Sequence, residues 1–259
     1  MCLIVFAYNY HPDYHLILAA NRDEYLDRPT EQAGFWSDAP HILAGRDKQA
    51  GGTWLGVTTD GKLAAVTNYR DPHRQVIDPP SRGKLVAGFL RNPTVTPAEF
   101  KGILNRDSQL YAGFNLMYGT AHELHYFTNR GGSSGPIVPG IHGLSNHLLD
   151  TRWPKVTVAR ARLKTLLQQK NVDQEQIFAA LSDPDPFADD LLPDTGVGPE
   201  RERLLSPIFI ADESYGTRST TVLMIDRSNQ VTFIERVFDR THLTSATQRF
   251  FFRIQPPTL

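Results

Sequence analysis

Cysteine is almost absent: the 259 residues contain one, Cys2. A single thiol excludes a disulfide framework and any zinc site built on cysteine pairs. Net charge is nearly absent too, with a formal value of −1 at pH 7. Such a balance lacks the positive field that holds nucleic acid or an anionic membrane surface, so neither partner is expected. No uninterrupted apolar stretch approaches the ~20 residues that cross a bilayer. The opening residues also lack a basic segment followed by a long apolar run, and meet turn chemistry at His11-Pro12-Asp13-Tyr14. A reducing, cytoplasmic compartment is the expectation. The nine histidines form no metal constellation. His122 and His125 fall in a hairpin, where a strand sends them to opposite faces. No metal and no required cofactor are therefore expected. Neither a repeat nor a linker-like shift of composition interrupts residues 1–259, which are expected to form one domain.

What is present is ordinary for a globular protein: 40% hydrophobic and 21% charged residues. The first half reads as strands and turns. Segments 2–8 and 15–20 flank a turn and predict an antiparallel hairpin. Segments 42–44, 53–58 and 63–68 follow, the last two joined by Thr59-Asp60-Gly61-Lys62, a strong hairpin signal. Segments 84–90 and 97–104 read as short helices, the second capped by Thr96 with Pro97 and Glu99 behind it. Another hairpin is expected over 114–118 and 123–128, then helices over 153–169 and 172–182. The stretch 183–199 is too rich in proline and aspartate for either element. Strands at 207–211, 220–225 and 231–237 close the chain. Strands, then helices, then strands predict an α+β protein in which helices cover antiparallel sheets.

The position of Cys2 has chemical consequences. Initiator methionine is removable when the second residue is small, and cysteine would then carry both a thiol and a free α-amine. That amine titrates near ~8 and can serve as base for a thiol of ordinary pKa near ~8.5. The same opening also reads as a buried strand in which Cys2 merely packs. Asn21-Arg22-Asp23-Glu24 closes the second predicted strand, and a hairpin returns it towards Cys2. Arg22 would favour a thiolate there, and Asp23 would orient the amine. Against this stands the reading of the four residues as a solvated charged turn.

Several motifs occur in order: Met1-Cys2-Leu3-Ile4, Asn21-Arg22-Asp23-Glu24, Gly51-Gly52-Thr53-Trp54-Leu55-Gly56, Thr67-Asn68-Tyr69-Arg70, Ser81-Arg82-Gly83, Gly143-Leu144-Ser145-Asn146 and Tyr215-Gly216-Thr217-Arg218-Ser219. Together they resemble the NRDE family, also called the transport-and-Golgi-organisation family, from Met1 to about Val237. That family in turn resembles the N-terminal-nucleophile hydrolases, which implies a four-layer αββα sandwich of two antiparallel sheets. Relatives of that kind, such as penicillin V acylases, bile-salt hydrolases and acid ceramidase, cleave amides with an N-terminal cysteine. The resemblance implies Cys2 as nucleophile, Asp23 as the following aspartate, Asn146 as an oxyanion donor and Arg218 as the late active-site arginine. Asn68 is a further candidate donor, although asparagine is also common where a strand meets a turn. Asn21, Arg22 and Glu24 are candidate supporting residues. One departure is plain: the amidases carry an arginine three residues before the aspartate, where this chain has Ala20. Arg22 is expected to face the other way from Asp23 unless a bulge intervenes.

The resemblance implies a hydrolase of a small amide or thioester. It also implies an alternative, a carrier of an apolar anionic ligand such as haem or an acyl-coenzyme A, linked to haem trafficking and lipid metabolism. Haem would then be cargo, with Cys2, His142 or His147 as an iron ligand. Gly51, Gly52, Thr53 and Trp54 suit a ligand loop, glycine permitting close approach and tryptophan an apolar wall; core packing of Trp54 is the alternative. Arg152, Lys155, Arg160, Arg162, Lys164 and Lys170 make the main helix basic. They read best as a solvated face balanced by the aspartates of 183–194.

Overall fold

The computed structural model describes residues 2–74, 76–169 and 171–255. The chain opens with the hairpin β1 (Cys2–Tyr8) and β2 (Tyr14–Tyr25). A meander follows: β3 (Thr30–Trp36), β4 (Ala39–Asp47), β5 (Leu55–Thr58) and β6 (Lys62–Asn68). Helices α1 (Gly83–Arg91) and α2 (Pro97–Asp107) come next, α2 held by the expected Thr96–Glu99 capping box. Then come β7 (Phe114–Thr120), β8 (Leu124–Thr128), β9 (Gly135–Pro136) and β10 (Gly140–Leu144). Helices α3 (Pro154–Leu166), α4 (Gln174–Ala180) and α5 (Pro199–Leu204) precede the closing strands β11 (Tyr215–Asp226), β12 (Gln230–Phe238) and β13 (Thr244–Arg253).

Among the described residues these strands form two antiparallel sheets. One has six strands in the order β10-β1-β2-β11-β12-β13, the other seven, β3 to β9 in sequence. The apolar run of β1 is buried throughout because both faces are covered. Ile4, Phe6 and Tyr8 join a core with Leu55, Leu63 and Met117 of the facing sheet, whereas Leu3, Val5 and Ala7 pack beneath Val156 and Leu163 of α3 and Phe178 of α4. A third core places Leu85, Phe89 and Phe100 of α1 and α2 on Ile42, Leu116 and Tyr118. Helix, sheet, sheet and helix are thus the four layers of the expected αββα sandwich. Among the described residues no helix is long and apolar enough to cross a membrane.

Five segments depart from expectation: 207–211 does not form the expected strand, and β3, β9, β10 and β13 are strands where none was expected. Segment 207–211 is irregular, apart from a bridge between Ala211 and Gly216. Its backbone is held partly by side chains: Ile208 O accepts from Asn21 Nδ2 at 2.8 Å, and Ile210 N donates to Thr217 Oγ1 at 3.0 Å, while Phe209 N donates to Asp183 O at 2.8 Å. β3 and β13 escape a search for apolar runs because each is an end strand of its sheet with polar residues alternating outward. Phe250 and Phe252 of β13 meet Phe35 of β3, closing one side of the space between the sheets.

Candidate active site

The register of the first hairpin builds the site. Cys2 lies directly opposite Arg22 without a break, so the two residues share the face that looks between the sheets. Asp23, the next residue, turns the other way, as strand geometry requires. The bulge lies elsewhere. Against β11, Asp23 pairs with Thr217 and Arg22 with Ser219, leaving Arg218 as the extra residue. This re-aims Arg218 into the cavity, where its Nη1 donates to the carbonyls of Tyr25 and Arg28 at 2.8 and 3.0 Å.

The cavity holds about 470 Å³ at one end of the sandwich, and Cys2, Arg22, Asp23, Glu24, Asn68 and Arg218 all contribute to its wall. Burial pushes the Cys2 thiol above its ordinary pKa, and the nearby Asp23 adds to this, with Arg22 pulling weakly the other way. Arg22 thus favours the thiolate, the direction expected of it, but desolvation outweighs the guanidinium. Asp23 is buried and held by Thr217 Oγ1, which donates to Oδ1 at 2.8 Å. Its carboxyl is also pushed up by burial, against the pull of Lys155.

Lys155 corrects the reading of α3 as a uniformly solvated basic face. It is 2% exposed, donates to Leu205 O at 2.9 Å, and is drawn down to about 8 by burial, with Asp23 resisting. The signal was present: Lys155, Ala159 and Leu163 follow at helical spacing and all three are buried. Other basic residues of the helix do meet carboxylates, Arg160 with Asp150 and Arg162 with Asp183. Lys170 lies outside the described residues.

Asn68 ends β6 at the cavity wall, its Oδ1 accepting from Arg82. Asn146 is not at that wall. It is wholly buried behind Asn68, donating from Nδ2 to the Asn68 carbonyl at 2.9 Å. One of its two amide hydrogens is thus engaged by the backbone, and the side chain stands behind Asn68 rather than at the wall. Asn21 is likewise withdrawn: its Nδ2 donates to Leu181 O and Ile208 O at 2.9 and 2.8 Å, tying β2 to the chain beneath. Glu24 stays at the wall, 3.9 Å from Arg22 and 3.8 Å from Arg28. In the glycine loop only Thr53 and Trp54 reach the cavity. Gly52 is instead required by a neighbouring chain, since a Cβ there would stand 2.5 Å from the Gly83 carbonyl carbon.

His142 has both ring nitrogens engaged, Nδ1 with Asp150 and Nε2 with the Val138 carbonyl, so neither faces an iron atom. His147 lies between Tyr69 and Trp153. A second cavity of about 720 Å³, walled by Tyr25, Tyr69, Leu204 and Tyr215 among others, adjoins the first across Glu24, Asn68 and Arg82. Arg82 and Tyr215 were quoted only as motif members; position in a loop or strand gave no reason to choose them.

Two facing antiparallel sheets between helices, with a cysteine opening the first strand, define an N-terminal-nucleophile-hydrolase-like fold. An N-acylethanolamine-hydrolyzing acid amidase ortholog of Caenorhabditis elegans shares it, with a TM-score of 0.50 at 13% identity over 86% of this chain and 92% of that one. The chain belongs to the Transport and Golgi organisation 2 family, which it matches over residues 1–240. It is 34% identical to the Transport and Golgi organization 2 homolog of Mus musculus over 278 residues, covering 98% of this chain and 100% of that protein. The Homo sapiens homolog is similar, at 35% identity over 96% and 99% of the two chains.

Proposed function

We propose that this chain is a cysteine hydrolase of a small amide or thioester, with Cys2 as nucleophile once Met1 has been removed. Met1 itself lies outside the described residues. The observation that carries the reading is the placement of Cys2, the chain's lone cysteine, on the cavity wall opposite Arg22 and beside Asp23. Because burial raises the thiol, a base must act when it attacks. The α-amine of the same residue is that base, titrating near ~8 in its ordinary state.

In the proposed reaction Sγ bonds to the substrate carbonyl carbon as its proton passes to the amine, and the carbonyl oxygen gains charge. The Asn68 amide is the side-chain donor at the wall for that oxygen. The carbon–nitrogen or carbon–sulfur bond then breaks, and the leaving group takes the proton from the amine. Water attacks the resulting thioester, losing a proton through the same amine, and releases the acid and the Cys2 thiol.

The test combines the intact mass of protein from its native host with turnover of a panel of acyl amides and acyl thioesters. The reading expects a mass lacking methionine, and at least roughly 10³-fold loss of kcat/KM in Cys2→Ala with the fold preserved. Retained Met1, or turnover that survives Cys2→Ala, would falsify it. A cavity that binds acyl compounds and never turns them over would instead mark the protein as a carrier.

A further inference from the structure

The cavity wall carries five arginines and five carboxylates, yet their pairing is uneven. Arg28 is matched by Asp47 at 2.7 Å, and Arg46 by Asp38 at 2.7 Å. Around Cys2 the cations are poorly matched. Arg22 is 7% exposed, and its ion-pair partner is Glu24 at 3.9 Å, a carboxylate shared with Arg28. Arg82 has no ion pair among the described residues; it donates to Asn68, and its Nε is buried without a hydrogen-bond partner. Arg218 is bound to two carbonyls rather than to a carboxylate.

Among the described residues Asp23, Glu31 and Glu235, the other acids of the wall, form no ion pair with Arg22, Arg82 or Arg218. Asp23 points away towards Thr217 and Lys155, and burial favours its neutral form. Glu235 is 4% exposed, accepts from Ala33 N at 2.7 Å, and is pushed up by burial against the pull of that hydrogen bond and of Arg22, with which it makes no direct ion pair. A guanidinium without a counter-ion in a desolvated wall is costly. It is well placed only if the counter-ion arrives with a ligand, for which the planar fork of arginine suits a carboxylate or phosphate.

We propose that this cavity selects a substrate bearing an anionic group, a carboxylate or a phosphate, which seats against Arg22 and Arg82 beside the carbonyl that Cys2 attacks. The proposal rests on the hydrolase reading for the attack, but the anion site stands on the cavity's own geometry.

The lone thiol gives a direct test. Native protein is alkylated with iodoacetate, which is anionic, and with iodoacetamide, which is neutral, and the two rate constants are compared with those of glutathione. Each reaction forms a carbon–sulfur bond and releases iodide and the thiol proton, and peptide mapping by mass spectrometry assigns the adduct to Cys2, the chain's one cysteine. The iodoacetate-to-iodoacetamide ratio is expected to exceed that of glutathione by at least ~10-fold and to fall as salt is added. Arg82→Gln and Arg22→Gln, checked for folding by circular dichroism, are each expected to lower the ratio several-fold. Inorganic phosphate and acetate are then used as competitors, and the one that protects Cys2 at the lower concentration identifies the anion.

A native ratio equal to that of glutathione overturns the proposal without recourse to any variant. So does a ratio unchanged in folded Arg82→Gln and Arg22→Gln, protection by neither anion, or a folded protein that reacts with neither reagent. These outcomes are independent of Met1 and of turnover, so failure of the anion site is distinguishable from failure of the hydrolase reading.

Discussion

A buried lysine beside a buried aspartate makes the pH dependence of this protein unusual at the level of single residues. Lys155 is drawn from 10.5 down to about 8, so between those values the unfolded chain holds a proton that the folded chain has released. Stability therefore rises with pH across that window, by roughly 3 kcal/mol from this group. Urea unfolding at pH 8 and pH 10.5 should show a change with pH that is more favourable by about that amount in the native protein than in Lys155→Met, the raised Cys2 thiol opposing it in both. Equal slopes in the two proteins would mean that Lys155 is not held as described. Cys2, Arg22 and Asp23 were legible in the sequence because a hairpin's register fixes what stands opposite its first residue. Lys155 was hidden by its charge: six basic residues in one helical region suggested solvent, although helical spacing put this one with Ala159 and Leu163. Arg82 was hidden for another reason, since its neighbours at the site come from strands remote in sequence.

Among the elements, α1 carries the most consequence for the site, because its N-cap residue is Arg82. The helix start is pressed onto the loop before β5, with Thr53 N donating to Gly83 O at 3.3 Å. Gly52→Ala would drive a methyl group into Gly83, 2.5 Å from its carbonyl carbon. The expected cost is about 1–3 kcal/mol, with a melting temperature lower by ~2–4 °C for each kcal/mol. The alkylation ratio at Cys2 should fall with it, as Arg82 moves. A thermal melt unchanged from native would show that the two loops can separate freely. Gly51-Gly52 was legible as a place of close approach, but not as to what approaches; the sequence alone cannot distinguish a ligand from another stretch of chain. Helices α1 to α4 and the central strands were expected from the sequence, whereas α5 was not. Nor were β3 and β13, because an end strand with one solvated face lacks the continuous apolar run of β1.

For the molecule as a whole, the two sheets are joined by more than apolar contact. Glu235 of β12 accepts from Ala33 N of β3, a hydrogen bond at 2.7 Å from one sheet to the other. Its carboxyl has a raised pKa, so its contribution to stability is full below its ordinary value and is lost as pH rises through the folded one. Glu235→Gln keeps an acceptor without the charge and should melt above native at pH 7.5, with the margin closing towards pH 4. Glu235→Ala leaves the buried Ala33 N–H unmatched and should lose about 1–3 kcal/mol at either pH. A Gln variant no more stable than native at pH 7.5 would show that the carboxylate is well solvated. The layered architecture was legible from the order of strands and helices, whereas this bond, spanning 202 positions, was not. Such separations also bear on how the protein is made. The β1–β2 hairpin is flanked by β10 on one side and β11 on the other, so a growing chain presents this apolar hairpin with both its edges open until residues 140–144 and then 215–226 have been synthesised. Folding of this kind is slow and exposed to aggregation. The cavity and its arginines are completed late in translation, and a chain stopped before β11 carries Cys2 without the chamber that encloses it.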